Sequence, residues 1–159
     1  MAKKGQKRKA AAGDVATNRQ ASFRYAFLET WECGIELMGS EIKSIRDGGV
    51  QLKDGYAALD GGEVWLHNVH IAPYGPAARD GHDPERPRKL LMHRREIERV
   101  AGKISERGLT LVPTRLYFKG SRAKVEVALA RGKDSFDKRR DLKDKDQRRE
   151  IQRALAEHG

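Results

Sequence analysis

Residues 131–149, RGKDSFDKRRDLKDKDQRR, set nine basic and five acidic side chains against only two large apolar ones, Phe136 and Leu142. Such a stretch cannot bury enough apolar surface to offset the entropy of ordering itself, so it must lie outside any core and is expected to be disordered alone in water. It is not featureless. Asp141 with Lys145, and Asp144 with Arg148, are acid-before-base pairs four apart, and each such pair supports a helix by about 0.2–0.5 kcal/mol. A net-positive segment with helical charge pairing suits contact with a polyanion. The core has to come from the chain before it.

The whole chain has 159 residues, room for one domain plus tails. Its 33 Lys and Arg against 23 Asp and Glu leave a net charge of +10, which points to an anionic partner, either nucleic acid or an acidic membrane surface. The lone Cys33 excludes an internal disulfide and fits a reducing compartment. No apolar run is long enough to span a bilayer, and residues 1–12, MAKKGQKRKAAA, have charge with no apolar segment behind it, unlike a signal peptide. The expectation is a soluble, cytoplasmic, basic protein with no membrane part.

Three segments follow: a basic arm over 1–17, a folded body over 18–130 and a basic tail over 131–159. The arm is a solvated terminus or makes weak phosphate contacts. From Phe23 to Trp31, aromatic residues alternate with Arg24, Ala26, Leu28 and Thr30, which predicts a strand that Cys33-Gly34 breaks. Ser40 is placed as the N-cap of a short helix that Asp47-Gly48-Gly49 stops, with Lys43 and Arg46 on its open face. Asp60-Gly61-Gly62 predicts a hairpin between strands at 56–59 and 63–71. Residues 72–88 hold four of the five prolines and read as a long surface loop. A helix is expected over 94–107, with Ile97, Val100, Ala101 and Ile104 on one stripe and Gly108 as its stop. Strands at 109–118 and 124–130 complete the body, and Pro113, which cannot donate to a ladder, should mark an edge or bulge. About six short strands with two to three helices define an all-β class with small helices. The expected architecture is a closed antiparallel barrel, and the basic charge favours the oligonucleotide-binding type.

Catalytic patterns are missing. His67 and His70 are three apart on one expected strand, so they would face opposite sides and could not share a metal. Cys33 reads as a small buried thiol, not a nucleophile, because no histidine base stands near it in sequence. Gly132-Lys133 lacks the upstream glycine and the following hydroxyl of a phosphate loop, since Asp134 comes next. The expectation is a binding protein with no cofactor and no metal, rather than an enzyme.

The run Gly34-Ile35-Glu36-Leu37, followed by Gly39-Ser40-Glu41-Ile42-Lys43-Ser44-Ile45-Arg46, resembles the SsrA-binding protein (SmpB) family. The likeness continues at Asp54-Gly55-Tyr56, His70-Ile71-Ala72-Pro73-Tyr74, Arg88 to His93, Gly108 to Pro113, Gly120 to Val125, and Gly132-Lys133 with Asp137-Lys138-Arg139. It spans roughly 18–140 as many short motifs in order, which is more specific than any one of them. The resemblance implies a barrel that binds the tRNA-like domain of transfer-messenger RNA and takes part in trans-translation, the rescue of stalled ribosomes. It also implies a tail that enters the decoding centre and the empty mRNA channel of the small subunit and becomes helical there. Elongation factor Tu and alanyl-tRNA synthetase would be reached only through the RNA. A general RNA chaperone and a nuclease are the rival readings, the latter without any clustered carboxylates to support it.

By position, Glu32, Leu91 and His93 match family residues tied to RNA binding. Leu91 could lie under a splayed base or simply pack in the core, and Glu32 could accept from a base edge or hold a neighbouring arginine. Lys43, Arg46, Arg88, Lys89, Lys124 and Lys133 are phosphate-contact candidates, each of which could equally be a solvated cation. In the tail, Lys133, Asp137, Lys138 and Arg139 match the family motif. Phe136 stands where some relatives have histidine, and either ring can stack on a base. Arg140, Lys143, Lys145 and Arg148 complete the set expected to face the ribosome.

Overall fold

The computed structural model describes residues 13–75, 81–105, 108–133 and 135–158. The body runs β1 (Asp14–Thr17), α1 (Arg19–Arg24), β2 (Tyr25–Ile35), α2 (Gly39–Arg46), β3 (Val50–Gln51), β4 (Tyr56–Asp60), β5 (Glu63–His67) and β6 (His70–Ile71). It continues with β7 (Arg88–Leu91), α3 (Arg94–Ile104), β8 (Leu109–Lys119) and β9 (Arg122–Gly132), and the tail forms α4 (Ser135–His158). Four helices are present among the described residues: α1, which was not foreseen, with α2 and α3 in the body, where two to three were expected, and α4 in the tail, which was expected to be disordered alone in water but is helical in the single chain.

The strands pair antiparallel in the order β8-β4-β5-β7-β2-β9, and β9 pairs again with β8, so six strands close into a ring. Strands β1 and β4 share one edge of β8, β1 meeting 115–117 and β4 meeting Leu111. Between them the β8–β9 register slips at Thr114, directly after Pro113. The bulge expected at Pro113 is there. Inward side chains such as Val64, Leu66, Leu90, Leu111, Leu116, Val125, Val127 and Leu129 form the core, and Ile45 of α2 and Val100 of α3 join it. Alternation along β5 and β7 separates these from less buried neighbours, whereas on β8 and β9 the outward Val112, Ala128 and Ala130 are buried as well, in a second cluster with Ala21 of α1.

Several strand expectations are revised, some by local backbone geometry and some by contacts distant in the chain. Phe23 lies on α1 rather than on a strand, because Asn18 caps that helix by accepting the Ala21 N–H. The Asn18 amide in turn donates to Leu52 O and Pro113 O at 3.1 and 2.9 Å, which anchors the helix start to two other segments. Strand β2 does not break at Cys33-Gly34: Gly34 pairs with Lys124 on one side and Leu91 on the other. Strand β5 stops at His67 instead of running to Ile71, because Asn68 takes a positive φ of 59° that ends the ladder. His70 therefore belongs to β6, which pairs with β3 in a separate two-stranded sheet. His67 and His70 share no strand at all.

At α2, Ser40 is inside the helix, not its cap. The Glu41 carboxylate closes the first turn by accepting the Met38 N–H at 2.7 Å, and the Ser40 hydroxyl instead meets His82 Nδ1 at 2.9 Å. Helix α3 ends at Ile104, short of the expected 107, and Ala101 lies exposed while Ile97, Val100 and Ile104 turn inward. The segment expected as a surface loop buries His82 and delivers Arg88, fully buried, to the start of β7. The part of it at 76–80, like most of the N-terminal arm, is outside the described residues.

Candidate nucleic-acid interface

The end of β7, the start of α3 and the tip of the β8–β9 hairpin surround a cleft of about 620 Å³. Glu32 and Gly34 come from β2, Leu91 from β7, His93 and Glu96 from the entry to α3, and Ser121, Arg122 and Lys124 from the hairpin. The ring topology makes this meeting possible, since β2 is the strand between β7 and β9.

Gly34 positions Leu91. A side chain there would meet Leu91 Cβ at 3.2 Å, so the bare backbone lets the leucine lie across β2. Leu91 is 47% exposed, which removes core packing as its role: an isobutyl group is offered to the cleft. His93 is also exposed, and its N–H donates to Glu96 at 3.2 Å in the first turn of α3.

Among the described residues Glu32 holds no arginine. The Tyr117 hydroxyl reaches across β9 and donates to Glu32 Oε2, and Lys119 Nζ lies 3.3 Å from Oε1. The Tyr117 hydrogen bond, with help from Lys119 and the charge of Lys124, holds the carboxyl below its ordinary range against partial desolvation. Burial, and the hydrogen bond to Glu32, push the Tyr117 phenol up. Behind the ring, Arg115 stacks 4.4 Å from its centroid and pairs with Asp14 at 2.9 Å and Glu126 at 3.5 Å. Sequence reasoning missed Tyr117, Lys119 and Arg122. A tyrosine inside an alternating strand reads as core, and only the strand order shows where its hydroxyl goes.

The cationic candidates separate. Lys124 lines the cleft. Lys43 and Arg46 are exposed on α2, with Lys43 Nζ 5.8 Å from the centroid of Tyr74 and the Arg46 guanidinium 4.7 Å from that of Phe118. Lys89 is ion-paired with Glu63 across β7 and β5, outside the cleft. Lys133 sits at the root of the tail, where its N–H donates to Arg24 O at 2.9 Å and its Nζ to Ser22 O at 3.0 Å.

Arg88 has to be withdrawn as a phosphate contact. Its side chain is fully buried, with Nε 2.5 Å from Glu41 Oε2 and its other nitrogens donating to Val69 O at 2.8 Å, Pro84 O at 3.1 Å and Asp83 O at 3.4 Å. A fully buried guanidinium with four of its five N–H donors taken inside the fold is out of reach of RNA. Cys33 is buried as expected, and burial pushes its thiol up to about 12. Among the described residues no group of three His, Cys, Asp or Glu is placed to hold a metal, and no helix is long and apolar enough to cross a membrane.

On α4, Arg139, Lys143, Lys145 and Arg148 are exposed. The side chains of Phe136, Asp137, Lys138 and Arg140 lie outside the described part. Arg149 pairs with Asp146 at 3.9 Å one turn apart.

The family model of the SmpB protein matches residues 15–157. The chain belongs to the SmpB family. The SsrA-binding protein of Roseiflexus sp. (strain RS-1) is 57% identical over 144 residues, covering 90% of this chain and 91% of that protein. The SsrA-binding protein of Sulfurihydrogenibium sp. (strain YO3AOP1) is 54% identical over 141 residues, with 89% and 93% covered. Among solved structures, a chain from "tmRNA-SmpB: a journey to the center of the bacterial ribosome" matches with TM-score 0.65 and 45% identity, covering 76% of this chain and 85% of that one.

Proposed function

We propose that this SmpB-family chain is an RNA-binding adaptor. It holds the tRNA-like domain of transfer-messenger RNA and delivers it to stalled ribosomes for trans-translation, working by binding and positioning rather than catalysis. The observation that carries the reading is that Glu32, Leu91, His93 and Lys124, chosen from sequence, converge on one cleft. The ring of six strands acts in this reading as a barrel of the oligonucleotide-binding type. Leu91 supplies an apolar surface for a splayed base, Glu32 accepts from a base edge, and Lys43, Arg46, Lys119, Arg122 and Lys124 meet phosphates around them. Elongation factor Tu and alanyl-tRNA synthetase are reached through the RNA, in the cytoplasm. The tail, helical as α4, is held in the decoding centre and the empty mRNA channel by contacts made there.

Competition at one fixed salt concentration tests this: labelled transfer-messenger RNA against equal lengths of unrelated structured RNA. A preference of about a hundredfold, roughly 2.7 kcal/mol, is expected, because a uniform phosphate term alone cannot separate the two. Near-equal competition would leave a general RNA chaperone driven by the +10 charge.

A second measurement addresses the cleft. Leu91→Ala should weaken binding of the tRNA-like domain about fivefold to thirtyfold, the range of about 1–2 kcal/mol for lost base stacking. Its melting temperature should stay within about two degrees of the parent, since the side chain is half exposed and leaves no cavity. A large drop in melting temperature with unchanged affinity would return Leu91 to the core.

A further inference from the structure

We infer that Tyr117 is a positioning residue: its hydroxyl fixes the Glu32 carboxylate in the cleft so that the free lone pairs meet a base edge carrying N–H donors. This rests on the reading of the cleft as the RNA site.

A carboxylate at an RNA surface is repelled by every phosphate and can only accept hydrogen bonds, so the RNA groups open to it are base N–H edges and ribose hydroxyls. It adds to recognition only if its direction is set in advance; otherwise ordering it costs rotamer entropy on binding. The structure supplies that setting. Tyr117 donates to Oε2 and Lys119 to Oε1, and each oxygen keeps a further acceptor direction for a base. Lys119 is exposed and free to turn to a phosphate, whereas Tyr117 is 9% exposed. Its ring is clamped by Arg115, itself held between Asp14 and Glu126. The fixed member of the pair is therefore the tyrosine. Lys119 and Lys124 face Glu32 from β8 and β9, while His93 and Glu96 face the cleft from α3.

The test is a double-mutant cycle on the full chain, reading the dissociation constant for the tRNA-like domain of transfer-messenger RNA. Tyr117→Phe keeps the ring under Arg115 and removes only the hydroxyl. About a tenfold loss of affinity is expected, with a melting temperature close to the parent. Glu32→Gln alone should weaken binding at least as much, and adding Tyr117→Phe to it should cost less than about twofold more. An undiminished tyrosine penalty in the Glu32→Gln background, or no penalty in the parent, would overturn the inference. Unchanged affinity of Glu32→Gln would instead remove the cleft from RNA binding, and this inference with it. Carbon-detected titration of Glu32 in the free, unaltered protein gives a readout that no variant's folding can spoil. Glu32 should ionise below the usual carboxylate range, and an ordinary value would also overturn the inference.

Discussion

Replacing Glu41 by alanine is expected to cost about 3–5 kcal/mol of stability in chemical denaturation, the range for leaving one member of a buried ion pair uncompensated. The Glu41 and Arg88 side chains are both fully buried, and Arg88 Nε stands 2.5 Å from Glu41 Oε2. Arg86 adds contacts at 2.7 and 3.2 Å, and the Met38 N–H a fourth at 2.7 Å. Deleting the carboxylate strands a guanidinium between backbone carbonyls with no counter-charge. It also releases the start of α2 and the 81–88 segment together, since both are tied to that one side chain. Binding of RNA, measured where the variant is still folded, should change less than threefold, because the pair is outside the cleft. Replacing both residues, Glu41→Leu with Arg88→Met, should recover much of the loss, as apolar packing removes two desolvation costs at once. A loss below about 1 kcal/mol for Glu41→Ala would show that water reaches the pair.

The same carboxylate gives the pH dependence a sign. Burial by itself would raise the Glu41 carboxyl, but hydrogen bonds from Arg86, Met38 N–H and Arg88 overcome it and hold the group below its usual range. A folded-state value lower than the unfolded one stabilises above the unfolded carboxyl value, about 4.3, and this contribution fades as pH falls through the folded one. Acid unfolding of the parent should therefore be steeper below about pH 4 than that of the double apolar variant.

Local chemistry announced much of this fold. Asp60-Gly61-Gly62 turns where its composition says and Pro113 sits at a bulge, whereas Gly108, expected to stop α3, lies beyond the helix end at Ile104 and leads into β8 with φ of 80°. The misreadings share a cause. Asn18 caps α1 while bonding Leu52 and Pro113, 34 and 95 positions away, and no local window contains those partners. Gly34 looks like a strand breaker until Leu91 is seen packed across it. Arg88 carries the charge of a phosphate ligand, and its burial depends on Glu41, 47 positions off. At the cleft, Glu32, Leu91 and His93 came from family likeness rather than from pattern. Exposure then removed the core reading of Leu91, which leaves the base contact as the proposal, and strand order brought in Tyr117, whose proposed role depends on β9 separating it from Glu32 by one strand.

Ending the chain after Gly132 should leave RNA affinity within about threefold of the parent while abolishing tagging of stalled peptides. Three features separate the two proposed activities. Strand β9 ends at Gly132, so the ring keeps every ladder when the tail is removed. The described side chains of α4 from 142 to 156 are all exposed, so little buried apolar surface is lost, and the melting temperature should fall by only a few degrees. The phosphate term also survives: residues 133–159 carry nine of the 33 basic and seven of the 23 acidic residues, so their removal takes away only two of the ten net positive charges. The tail is thus charge-rich but nearly charge-balanced, which suits reading a specific groove better than adding bulk attraction. A helix of this composition is marginal alone, since its ion pairs give tenths of a kcal/mol each while ordering costs about 1–2 kcal/mol per residue. In the proposed mechanism, contacts on the ribosome hold the α4 helix in place. Tagging in a reconstituted translation system, with truncated and full chains at equal RNA saturation, isolates that step. Normal tagging by the truncated chain would make the tail dispensable and end the two-part mechanism; loss of RNA affinity beyond tenfold would move the tail into the RNA site instead.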